Sequence, residues 1–179
     1  GYGTTVSDSS GSTSGTITNA IWKTEDLCFD GKCLYFDGTG DYVSFGDDAS
    51  FDFDASANFT IEFWFRTGDI TSGTRVFVSK YRGDDSEGGY KVYMNSGGQV
   101  VFGVDDDSSF GPDDSATSVS AYDDNKWHFV TAVKTGTTSL TLYIDGIKAG
   151  EDLSISATGT LVNDDNFTLG MDSDGSSNP

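Results

Sequence analysis

Apolar and polar residues alternate with a period of two over many short stretches of this chain, most clearly at residues 127–150. Leu140, Leu142 and Ile144 alternate with Thr141, Tyr143 and Asp145, the pattern of a strand with one buried face. Asp145-Gly146 follows as a two-residue turn of type I′, from which Ile147-Lys148-Ala149 reverses to pair back, glycine tolerating the positive φ required. With the strand led by Trp127 this predicts a β-meander. Further strands are predicted near residues 16–22, 34–36, 42–45, 59–67, 75–81, 90–94, 100–104 and 167–169. No window sustains a 3.6-residue period, so little helix is expected. Along residues 59–67 alternation puts Phe59, Ile61, Phe63 and Phe65 on one face, expected to be core, and Thr60, Glu62, Trp64 and Arg66 on the other.

These blocks carry a family resemblance. The run Trp127-His128-Phe129 through Ile144-Asp145-Gly146 to Gly150 resembles the laminin-G-like, concanavalin A-like lectin superfamily. Asp8-Ser9-Ser10-Gly11, Gly15, Trp22 and Leu34-Tyr35-Phe36-Asp37-Gly38-Thr39-Gly40-Asp41-Tyr42-Val43 are similar to the opening of its relatives in large secreted proteins. Phe59-Thr60-Ile61-Glu62-Phe63-Trp64-Phe65 matches the family's central strand, and Phe167-Thr168-Leu169-Gly170 a late strand-then-glycine element. The resemblance implies an all-β jelly-roll β-sandwich of two antiparallel sheets, in one domain over 1–179, with 1–15 partly linker-like. It also implies that a strand usually following Gly170 is absent, leaving an unpaired edge beside residues 167–169, either because the chain is truncated there or because a neighbouring subunit supplies the strand by exchange, a route to self-assembly.

Composition agrees with one sandwich. A chain of 179 residues can hold one sizeable core, and its 23 glycines with abundant Ser, Thr, Asp and Asn punctuate the short apolar runs. No run approaches the roughly 18 apolar residues of a membrane span, and no charged-then-apolar leader opens the chain, so it reads as a mature or excised segment with no membrane insertion. Charge narrows the partners. Twenty-nine acids against 10 basic residues give a formal net charge of −19, which disfavours nucleic acid and anionic membranes, because binding polyanions needs Lys and Arg. The carboxylates are either a solvated surface or, in part, ligands for a hard cation such as Ca²⁺. Candidate ligands are Asp105 and Asp107 in the run 105–107, with Asp113-Asp114 and Asp84-Asp85 in neighbouring loops; Asp172 and Asp174; and Asp8 in the Asp-x-Ser-Gly element.

Cys28 and Cys33 enclose a short loop with Asp-Gly at its centre, which can bring the two Cα atoms within disulfide range. A zinc site would need more thiols or imidazoles than the single histidine offers. The expected disulfide, and two Asn-x-Thr sequons at Asn58 and Asn166, suit an extracellular or cell-surface location.

Hydrolase chemistry on this fold needs paired carboxylates on one strand. Glu62 is the only acid on its strand; Glu25, Glu87 and Glu151 stand alone; Asp52 and Asp54 lie in a connection between strands. His128 reads as a satisfied structural histidine. A non-catalytic module binding carbohydrate or a cell-surface protein is therefore expected. Its candidate binding surface is Glu62, Trp64 and Arg66, joined by Tyr93 and Tyr143, with Trp64 able to stack on a sugar ring or pack beneath a loop. The rival reading is a structural subunit of a surface layer, filament or stalk.

Overall fold

Period-2 alternation becomes two packed antiparallel sheets. The computed structural model describes residues 3–11, 13–68, 73–81, 88–107 and 112–172. Its strands are β1 (Thr5–Val6), β2 (Gly15–Thr18), β3 (Ile21–Lys23), β4 (Cys33–Tyr35), β5 (Tyr42–Ser44), β6 (Phe59–Phe65), β7 (Arg75–Lys80), β8 (Gly89–Met94), β9 (Gln99–Asp105), β10 (Asp114–Ala121), β11 (His128–Thr135), β12 (Ser139–Ile144), β13 (Ile147–Asp152) and β14 (Thr168–Leu169). An eight-stranded sheet, ordered β1-β2-β5-β14-β7-β8-β9-β10, faces a four-stranded sheet, ordered β13-β12-β11-β6, and β3-β4 forms a separate hairpin. The chain is an all-β jelly-roll sandwich.

The predicted meander is β11-β12-β13, and Asp145 and Gly146 take φ of 55° and 78°, both positive as a type I′ turn requires. Phe59 and Phe65 of β6 join Val92, Val100, Phe102, Ala132, Leu140 and Leu142 in the core, with Ile61 and Phe63 packed against it. Each valine, leucine and phenylalanine among them contributes about 1.5–3 kcal/mol when fully buried.

Three expectations need correction. The strand expected over 16–22 is two strands, because Asn19 (φ 59°) turns the chain from β2 into β3. β10 was not predicted: Asp-Ser-Ala-Thr-Ser-Val-Ser-Ala carries too little apolar bulk, and its buried residues are Asp114, Ala116 and Ser118. The edge expected beside residues 167–169 is not open, since β14 pairs with β5 on one side and β7 on the other. Among the described residues the edge strands of the two packed sheets are β1, β10, β6 and β13.

Candidate functional site

The outer face of the four-stranded sheet is assembled by register. Glu62 stands opposite Thr131, Thr131 opposite Tyr143, and Tyr143 opposite Lys148, a polar row crossing all four strands, in which Thr131 Oγ1 donates to Glu62 Oε1 at 3.0 Å. One row on, Trp64 faces Phe129, their rings tilted at a centroid distance of 5.1 Å. Phe29, from the loop closed by the Cys28–Cys33 disulfide, stacks on the Trp64 ring with centroids 3.7 Å apart. Phe29 and Trp64 remain 56% and 41% exposed. Arg66 lies over the Trp127 ring.

Thus Glu62, Trp64 and Tyr143 share one face, with Arg66 at its end. Tyr93 does not join them. It lies on β8, paired with Val76 and Val101 in the other sheet, where the Lys91 ammonium sits over its ring. Alternation assigns a residue to a face of its own strand but not to a sheet. Thr131, Lys148 and Phe29 were missed; only an apolar residue inside a short disulfide loop hinted at Phe29.

Beside Trp64, at the end of the sandwich where β6 finishes, His128 is held between two carboxylates. Its Nδ1 lies 2.8 Å from Asp145 Oδ2 and its Nε2 3.0 Å from Asp124 Oδ1. Burial opposes the charged imidazole, but the two carboxylates outweigh it and hold the pKa above its ordinary value.

The opposite rim, where β7 and β9 end and β8 and β10 begin, collects buried charge. Lys80, fully buried, reaches Asp47 Oδ1, Asp52 Oδ1 and the carbonyls of Asn163 and Asp165 at 2.9–3.1 Å. Lys134, also fully buried, donates to the carbonyls of Ala55 and Gly136. At this rim Asp105, Asp107 and Asp113 bring one carboxylate oxygen each to within 4.8 Å of one another. Asp105 is 1% exposed; burial, reinforced by the charges of Asp113 and Asp107, pushes its carboxyl up to about 6 against the pull of its hydrogen bonds. Burial also raises Asp113.

Three hard oxygens at this spacing fit around one cation at Ca²⁺–oxygen distances of about 2.3–2.6 Å. The adjacent acids serve other ends: Asp106 Oδ2 accepts from Gly159 N, and Asp114 accepts from Ser156 N and Ala157 N. Of the other predicted metal ligands, Asp172 lies 3.9 Å from Lys91 Nζ, Asp8 caps a turn by accepting from Ser10 N at 2.8 Å, and Asp174 falls outside the described residues, as do Asp84 and Asp85.

Residues 37–179 match the family described as the concanavalin A-like lectin/glucanases superfamily. Similar solved structures include the binding domain of Paraclostridial Mosquitocidal Protein 1, with 16% identity, a TM-score of 0.67 and 85% of this chain covered. The botulinum neurotoxin serotype G binding domain is 17% identical, with a TM-score of 0.64 and 91% of this chain covered. The match spans 39% and 40% of those two chains, and at such identities the likeness concerns the fold. No curated protein matches this chain.

Proposed function

The chain belongs to the concanavalin A-like lectin/glucanase superfamily, and from that premise we propose that it is a non-catalytic extracellular recognition module that binds carbohydrate on the outer face of its four-stranded sheet. The observation that carries this reading is the solvent-facing Phe29–Trp64 stack set beside the polar row Glu62, Thr131, Tyr143 and Lys148. An open aromatic face stacks on the apolar face of a sugar ring, and flanking carboxylate, hydroxyl and ammonium groups hydrogen-bond its rim. Asp105, Asp107 and Asp113 hold Ca²⁺, which supplies countercharge to a buried carboxylate and ties the loop after β9 to the start of β10.

A glycan array, run with a β-glucan hydrolysis assay, tests the reading. Glycan capture that falls about tenfold or more in Trp64→Ala and Phe29→Ala, the size of a lost stacking contact, is expected without turnover. Turnover abolished at a single carboxylate overturns it. The unpaired outer edge of β6 favours self-assembly as a second reading, which sedimentation over a range of protein concentrations reads directly.

A further inference from the structure

The rim that carries the buried lysines also holds an open cleft of about 330 Å³, lined by Asp54, Ser56, Thr137, Thr158, Gly159 and Thr160. We propose that this cleft is a second ligand site, separate from the aromatic face, and that it takes one neutral saccharide unit whose vicinal diol donates to the Asp54 carboxylate. Its size sits at the lower end of the range of ligand pockets, about 300–1,000 Å³.

The walls are held in place by hydrogen bonds, most of them through the backbone. Lys134 Nζ holds the loop before β6 and the β11–β12 turn together through the carbonyls of Ala55 and Gly136, and Asn58 Oδ1 accepts from Gly136 N at 2.7 Å. The third wall is tied down by Leu161 N donating to Phe53 O at 3.2 Å and by Gly159 N donating to Asp106 Oδ2. Asp54, Ser56, Thr137 and Thr158, in contrast, are exposed, and no side-chain hydrogen bond or ion pair engages them among the described residues. A rigid frame presenting uncommitted polar groups loses little entropy when a ligand docks.

The lining selects the ligand's chemistry. Among the described residues no aromatic or large aliphatic side chain lines the cleft, so an apolar ligand gains little there. No cation lines it among those residues either, and Asp54 together with the net charge of −19 repels phosphates, sulfates and uronic acids. A carboxylate accepts two hydroxyl donors at once, while Ser and Thr hydroxyls both donate and accept, which matches the adjacent hydroxyls and acetal oxygens of a neutral hexose. Because Asp54 to Ser56 precede β6 and Trp64 lies near its far end, the two sites are about 20 Å apart, taking about 3.3 Å per strand residue.

Saturation-transfer NMR with methyl gluco-, galacto- and mannopyranosides, and with methyl glucuronoside as the charged counterpart, tests the assignment. Transfer to at least one neutral glycoside is expected. Measured with Trp64→Ala as the parent, so that the aromatic face contributes nothing, it should fall about tenfold on adding Asp54→Asn or Thr158→Val, the loss of one strong hydrogen-bonding group, and be weaker for the glucuronoside. Both cleft substitutions are at the surface, and unchanged melting curves verify that they fold; Ser56→Ala replaces either one that does not. Absence of transfer from every neutral glycoside overturns the proposal. So does a signal that survives both cleft substitutions in that parent, or one already lost on Trp64→Ala alone, which assigns the sugar to the aromatic face instead.

Discussion

An imidazole that meets a carboxylate at each ring nitrogen must donate from both, and only imidazolium has two N–H donors. His128 is in that position between Asp145 and Asp124, with Lys126 paired to Asp124 and the Tyr122 ring edge-on. Its raised pKa fixes the sign of the pH dependence. The stabilisation is fully present below the unfolded value of about 6.5 and is lost as pH rises through the higher folded value. Thermal melts from about pH 6 to about pH 9 should therefore show a decline in the wild type that is flattened in His128→Gln. An equal decline in both proteins assigns it to other groups. In the sequence His128 reads as a structural histidine, and so it is placed; its two partners lie four and 17 residues away, and only the folded turn and loop converge on it.

At the level of elements, the two sheets close on each other where β13 crosses β10. Gly150 permits the approach: a Cβ there would lie 2.2 Å from the carbonyl oxygen of Thr117, a backbone atom that cannot swing aside. Gly150→Ala should destabilise the domain by about 1–3 kcal/mol, the usual cost of overpacking, read as a shift in the urea midpoint with unchanged slope. A midpoint equal to wild type means that the β10–β13 contact is loose in solution. The glycine is visible in the sequence, but its reason is not, because β10 has almost no apolar signature of its own and owes its strand conformation to pairing with β9.

For the whole molecule, charge is the organising fact. Of the 10 basic residues, Lys80 and Lys134 are fully buried as internal cations, while Asp105, Asp107 and Asp113 converge at the rim. Ca²⁺ at 100 times its dissociation constant adds about 2.7 kcal/mol, so replacing it with chelator at constant ionic strength should lower the melting temperature by about 5–10 °C. Asp105→Asn should abolish that response. The raised carboxyl sets its pH range: without metal, ionising Asp105 costs stability as pH climbs from the unfolded value towards about 6, and below that range protons displace the cation. An identical melt with and without chelator removes the metal and leaves the carboxylates as a solvated surface.

The sequence alone determined the fold class, the meander at residues 127–150, the type I′ turn, the disulfide and the inward face of β6, because period-2 alternation, turn chemistry and short-range cysteine spacing act over a few residues. It also named Asp105, Asp107 and Asp113, without deciding which of many acids converge. Tertiary structure alone decided that Tyr143 shares a sheet with Trp64 and Tyr93 does not, that Phe29 covers the tryptophan, that β14 is an interior strand, and that Asp54 and Thr158 face one cleft. Each of these depends on which distant strands become neighbours. That is settled by the packing of two whole sheets around one core, a sum over contacts that no local pattern contains.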